Sequence, residues 1–487
     1  MRSLHPEADF LVFGRWLRYP VDMRSITYLR KDFFNAVGAL SQEQIHVVLI
    51  ATKPDIIKQI PLYHELKKRG HAVLLGHTGQ HYDENLSGGM LKEFGVEPDF
   101  NLNVRGSMYE VVSQIIERFG FVIGELKSRG PAHRSLGGGG KIVIPYVHGD
   151  TTTAMAASNA AYCHGFASVH VEAGIRTLTP DYEKWKVESA YLPDRQGKWK
   201  VEDGLSAWRK FLMDRKNWKR GSQEPYPEQF CTRCSEAATG VHLAPVELDR
   251  EFLLGEGFAD DRIFIVGNTV ADATAEALKR AGKEERFESV FERYPILERG
   301  DFVRFCIHRR ENCSAERRFV PIFRAMQKLL EEGRTVLLIS LFQTEAAIDR
   351  FGLRKELEEM VKMYKHFVYS PVWPLYTDVI AAMSKASVCA TDSGSMQEEM
   401  NVLGVPCVTL RFGSDRSESA MNGGNIIAPP TDADFIHAAI TFAWDNTDMR
   451  NTPKLYGKNV SAKCIDAVEK VLKAGSIFRS DEERLKM

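Results

Sequence analysis

Short apolar runs rich in Val, Ile and Leu alternate with longer amphipathic stretches along most of this chain, in two successive series. In the first, residues 47–50, 72–75, 141–147, 167–171 and 241–244 read as buried strands, with helical stretches at 56–68, 108–126 and 154–163. Residues 263–266 lead into Gly267-Asn268-Thr269, and a second series follows at 302–307, 335–340, 366–370, 387–390, 406–410 and 425–427. Helices at 319–332 and 377–385 separate its strands. Strands that alternate with helices predict parallel sheets covered on both faces. The expected fold is α/β, with two doubly wound Rossmann-like domains facing a central cleft. The expected division is an extension over 1–45, a first domain over 46–267, a second over 268–455 and a tail over 456–487. The amphipathic helix of that tail, at 460–474, is expected to pack back on the first domain.

A chain of 487 residues suits two or three domains, and 64 basic against 65 acidic side chains offer no special attraction for nucleic acid or a membrane surface. No apolar run approaches the length of a membrane span. The eight cysteines sit mostly inside apolar runs, as small hydrophobes in a reducing compartment do, so a cytoplasmic protein is expected. Cys231 and Cys234 form one CxxC without a second pair, which is weak support for zinc. Residues 137–140 are four glycines before Lys141, but they precede a strand rather than follow one, so they read as a connection. Residues 181–224 hold Trp185, Trp199, Trp208 and Trp218 among lysines and arginines. Acids alternate with these bases, which favours a packed lid or subunit contact over a site for single-stranded nucleic acid.

In open parallel sheets ligands bind beyond the carboxyl ends of the strands. Those ends carry polar clusters here: Thr52-Lys53-Pro54-Asp55, His77-Thr78-Gly79-Gln80-His81, His148-Gly149-Asp150-Thr151 and Glu172-Ala173-Gly174-Ile175-Arg176 in the first series. The second series delivers His308-Arg309-Arg310-Glu311-Asn312, and Thr391-Asp392 followed by the small turn Ser393-Gly394-Ser395 at a helix start. Free N–H groups and the helix dipole at such a start favour a phosphate, and Glu398 and Glu399 lie one turn further on, where a carboxylate can accept from a ribose diol. The clusters divide by sign. Cations and a helix start in the second half suit a phosphorylated nucleotide; Asp150, Glu172 and Glu228 in the first suit acid–base chemistry on a sugar carbon. A metal held by His148, Asp150, His170 and Glu172 competes with this reading, but no HExxH or HxH spacing supports it.

With these motifs in view, the chain resembles the UDP-N-acetylglucosamine 2-epimerases over residues 46–472. The resemblance rests on TGQHYDENL at 78–86, HGDTTTAMAAS at 148–158, VHVEAGIRT at 169–177, RIFIVGNTVAD at 262–272, HRREN at 308–312 and TDSGSMQEE at 391–399. It implies a two-domain glycosyltransferase-B fold, a homodimer, a UDP-sugar substrate, and reversible conversion of UDP-GlcNAc to UDP-ManNAc without an obligatory metal or nicotinamide. It places catalytic acids on Asp150, Glu172 and Glu228, a catalytic histidine on His308, and the diphosphate turn on Ser393, Gly394 and Ser395. The ribose acid falls on Glu399, further substrate contacts on Lys53 and Arg416, and an effector pair on Gln80 and His81. In the implied mechanism UDP leaves C1 as the C2 proton is lost, and 2-acetamidoglucal is reprotonated from the other face as UDP returns. A hydrolysing epimerase that releases ManNAc and UDP, and a glycosyltransferase of the same fold, are the competing activities.

The chain departs from the family pattern at several of these motifs. Lys53 replaces the arginine of the first loop, and Ser395 stands where the phosphate turn usually has a second glycine. The loop Ser414-Asp415-Arg416-Ser417-Glu418 replaces Thr-Glu-Arg-Pro-Glu. The segment after Glu228 runs one residue longer than usual, and the insert at 181–224 replaces a short loop between two carboxylates.

Overall fold

The computed structural model describes residues 25–79, 88–129, 132–133, 138–139, 141–188, 202–282, 289–475 and 477. Two large sheets organise them. The first holds eight strands in the order Thr27–Tyr28, Phe100–Asn101, Val73–His77, Gln44–Ile50, Ile142–His148, Ser168–Val171, Thr239–Ala244 and Ile263–Ile265. All its pairings are parallel except that of the edge strand Thr27–Tyr28. The second sheet is wholly parallel, in the order Phe367–Pro371, Thr335–Ser340, Phe302–Cys306, Val388–Thr391, Cys407–Thr409 and Asn425–Ile427. Both sheets reverse direction of travel beside their first long strand, the doubly wound arrangement in which a crevice opens at the switch point. The strands are almost fully buried, as near-continuous apolar runs in parallel sheets should be.

Part of the segment expected as an N-terminal extension is built into the first half. Beside the edge strand, the helix Phe33–Gly38 contributes Phe33 and Val37 to the same apolar cluster as Phe100, Phe119 and Val143. At the other end, the helix Val460–Lys473 packs against the helices Lys53–Lys68 and Val270–Ala281. Asp272 accepts from the Val460 and Ser461 amides at 3.1 and 2.8 Å, while Arg69 meets Asp466 at 2.7 Å and His71 meets Glu469 at 2.9 Å.

The tryptophan-rich insert folds onto the second half. Trp185, Trp208 and Trp218 are buried in one cluster with Phe211, Ile426, Ile427 and Ala420. Trp208 stacks on Phe211, their ring centroids 5.5 Å apart. Polar contacts fix the docking: the Tyr182 hydroxyl donates to the Phe412 carbonyl at 2.6 Å, and Arg209 to the Gly423 carbonyl at 3.0 Å. The insert is therefore a strap between the halves, and its aromatics are spent on packing. Trp199 lies outside the described residues.

Candidate active site

The first loop shows how the sequence sets up the site. Helix Lys53–Lys68 starts at Thr52, with Pro54 near its first position and Asp55 closing the turn. Asp55 Oδ2 accepts from the Ala51 and Thr52 amides at 3.1 and 2.9 Å. Its other oxygen, Oδ1, lies 2.8 Å from His148 Nδ1, at the end of the neighbouring strand across the switch point. Glycine is required just beyond that histidine: Gly149 has φ +62°, and a Cβ there would stand 3.3 Å from Glu172 Oε2. Glu172 itself holds the left-handed φ of +64°, a backbone strain tolerated where the surroundings fix the residue firmly.

Those surroundings are a buried lattice of charge. Lys58 pairs with both Glu172 and Glu398; Arg416 pairs with Glu398 and reaches Glu172 at 3.3 Å. Asn268 donates to Glu172, and His148 Nε2 lies 3.2 Å from its second oxygen. Burial works against the His148 cation, but the Glu172 charge and the Asp55 hydrogen bond outweigh it and lift its pKa to about 9. Burial likewise opposes the Glu172 carboxylate, and Lys58, His148 and Arg416 hold it well below the usual range.

On the second half, Asp392 is the organiser. Fully buried, it accepts from the His308 amide at 3.0 Å, the Arg309 amide at 3.0 Å and Asn312 Nδ2 at 3.0 Å. That clamp turns His308 and Arg309 toward the start of helix Gly394–Leu403, whose first turn is free to face the cleft. Burial keeps the His308 imidazole below its ordinary pKa, outweighing the nearby Asp392 charge. Glu228 opens the helix Glu228–Ala237 and pairs with Arg309 across the cleft. Burial raises its carboxyl pKa, Asp150 adds to the rise and Arg309 opposes it, while Oε2 is buried without a partner. Lys53 is pushed down to about 8 by burial and then by the Arg304 charge.

One cavity of about 690 Å³ joins these groups. Lys53, Asp150, Glu172 and Glu228 line it from the first half, and His308, Ser393, Gly394, Ser395 and Arg416 from the second. It spans both switch points, a size and place suited to a nucleotide-bound small molecule. Glu399 is not among its lining residues. Its carboxylate accepts from the Tyr376 hydroxyl at 3.0 Å in a buried position, and burial raises its pKa to about 7. Gln80 and His81 lie outside the described residues. Among the described residues no three His, Cys, Asp or Glu side chains form a group that could hold a metal ion: His148 is engaged by Asp55 and Glu172, whereas His170 Nε2 lies 2.7 Å from the Gly149 carbonyl oxygen. Asp55, Lys58, Asn268 and Asp392 carry much of the architecture, and sequence reasoning gave them no role. An acid at a strand end signalled Asp392; nothing distinguishes Lys58 from any other helical lysine.

A sequence model of the UDP-N-acetylglucosamine 2-epimerase family matches residues 64–183 and 220–469. The chain belongs to this family. The interval between the matched stretches falls inside the tryptophan-rich insert. The UDP-N-acetylglucosamine 2-epimerase of Methanocaldococcus jannaschii is 27% identical over 383 residues, 78% of this chain and 87% of the relative. That of Bacillus subtilis is 26% identical over 395 residues, 80% and 84% of the two chains. Among solved structures, the M. jannaschii UDP-GlcNAc 2-epimerase in complex with UDP-GlcNAc and UDP has a TM-score of 0.67 at 25% identity, covering 89% of this chain and all (100%) of that one. The Neisseria meningitidis enzyme bound to UDP-GlcNAc has a TM-score of 0.68 at 22% identity, over 88% of this chain and 100% of its own. Thus the two-domain Rossmann-like architecture of these epimerases is that of the present chain. Among its described residues, no helix is long and apolar enough to cross a membrane.

Proposed function

We propose that this epimerase interconverts UDP-GlcNAc and UDP-ManNAc, or an N-acetylated relative of them, by elimination and return of UDP. One observation carries the reading. The carboxylates of the first half and the cationic, helix-start surface of the second line the same cavity, so departing UDP stays within reach of the sugar it left.

The chemistry follows from that division. Loss of the C2 proton to a carboxylate moves the C2–H electron pair into a C1–C2 double bond, while the C1–O pair leaves with UDP. Negative charge grows on the diphosphate, where the amides at Gly394 and Ser395, His308 and Lys53 are suited to receive it. Return of UDP to C1, with protonation at C2 from the opposite face, gives the epimer. Asp150, Glu172, Glu228 and His308 are the groups proposed at the reacting end, and Lys53, Ser393, Gly394, Ser395 and Arg416 those proposed around UDP. Glu399 is proposed for the ribose through its place on the same helix.

Incubation with UDP-GlcNAc in heavy water, followed by proton NMR, tests the reading. UDP-ManNAc carrying deuterium at C2 is expected, without an acceptor sugar. Accumulation of free ManNAc with UDP would instead establish the hydrolysing reaction. The family likeness also underlies a proposed homodimer, which light scattering at micromolar protein would detect as twice the chain mass.

A further inference from the structure

Glu172 differs from the other cavity carboxylates in having no oxygen to spare. Its Oε1 accepts from Lys58 and Asn268; Oε2 lies 3.2 Å from His148 Nε2 and 3.3 Å from Arg416 Nη2. Lys58, Asn268 and Arg416 hydrogen-bond these oxygens and the His148 imidazole stands beside Oε2, so both oxygens are engaged. The donors are themselves held, because Lys58 and Arg416 share Glu398, and Asp55 grips His148 from behind. They come from both halves of the molecule and from the junction at Asn268. Glu228 is the opposite case: one oxygen meets Arg309, and Oε2 has no partner.

We propose that Glu228 and Asp150 exchange the proton at C2, and that Glu172 is a positioning residue locking the seam between the two halves beneath the sugar. This assignment rests on the epimerase reading of the same cavity. Exchange through two faces requires one carboxyl that starts ionised and another that starts protonated. As the ionised group takes the C2 proton, the electron pair enters the C1–C2 double bond and the C1–O pair departs on UDP. The protonated group then supplies C2 from the other face as UDP returns, and the two have swapped states. Burial and the Asp150 charge favour a proton on Glu228, whereas the cations around Glu172 leave it none to give.

The test compares the full-length wild type with Glu172→Gln, Glu228→Gln and Glu398→Gln, reading C2 deuterium uptake, its pH profile and UDP affinity. Glu228→Gln should lower uptake by about a thousandfold, remove one limb of the pH profile and leave UDP affinity within a few fold. Glu172→Gln should slow uptake by about ten- to a hundredfold and keep both limbs. Glu398→Gln loosens the same lattice from outside the cavity and should match it, which preserves the comparison if Glu172→Gln does not fold. The assignment is overturned if Glu398→Gln behaves as wild type, or if Glu172→Gln loses a pH limb as Glu228→Gln does. A wild type that takes up no deuterium at C2 would instead overturn the epimerase reading itself, and the assignment with it.

Discussion

The indole N–H of Trp208 donates to the carbonyl of Ile427 at 2.8 Å, joining an insert that interrupts the first half of the chain to the last strand of the second sheet. Removing this ring should be expensive. Trp208→Ala is expected to destabilise the protein by about 3–5 kcal/mol, as large-to-small changes of buried aromatics do. Urea denaturation followed by circular dichroism measures it, and Trp208→Phe should retain most of the lost stability.

Asp392→Asn should act on both stability and ligand. An amide in this place turns one acceptor into a donor that faces the N–H groups of His308, Arg309 and Asn312. A loss of about 2–4 kcal/mol is expected in a denaturation curve, since buried donors are left unpaired. UDP titration should show weaker binding, because the displaced loop carries His308.

Lys53 predicts a pH dependence of nucleotide affinity. With its pKa near 8, the ammonium is present below that pH and lost above it. Calorimetric titration with UDP should therefore weaken as pH rises from 7 to 9, and Lys53→Arg should flatten the curve because guanidinium stays charged. Equal affinity of the wild type at both pH values would remove Lys53 from the diphosphate site.

His148 predicts alkaline sensitivity of the fold. Its folded pKa, about 9, exceeds the ordinary imidazole value of 6.5. The stabilisation is thus complete below pH 6.5, declines between the two values and is gone above about 9, a loss of a few kcal/mol. Urea midpoints measured from pH 6 to 10 should fall across that window. In Asp55→Asn, which removes a carboxylate partner of the imidazolium, the fall should be shallower and end at lower pH.

His308 lines the cavity, and burial holds its imidazole below the ordinary pKa. His308→Ala is expected to reduce kcat by about a hundred- to a thousandfold, the scale for losing one group that stabilises developing charge. A coupled assay for UDP-ManNAc formation would measure it.

The fold was legible because its strands are fully buried: six apolar runs predict the second sheet, and each finds a strand within one or two residues. Two-residue strands such as Thr27–Tyr28 and Phe100–Asn101 carry too little pattern to be seen. Site residues at strand ends were legible for the same topological reason, since the doubly wound order brings those ends together. Lys58 was not. Its partner Glu398 lies 340 residues away in sequence, and only the meeting of the halves gives that lysine its purpose. Glu399 lies one residue beyond the acid that faces the first half; a helix turns about 100° per residue, and its carboxylate meets the Tyr376 hydroxyl.

The pair between Glu228 and Arg309 has a consequence for timing. The carboxyl belongs to one half and the guanidinium to the other, so their separation is a measure of how far the cleft is open. Burial is the largest influence on Glu228 and raises its pKa, while Arg309 opposes the rise; parting the halves removes both, and because burial dominates, the hydrated carboxyl becomes the stronger acid. Enclosure rather than the ion pair therefore sets the balance: with the halves together Glu228 favours its protonated form, the form that the proposed reprotonation of C2 draws on.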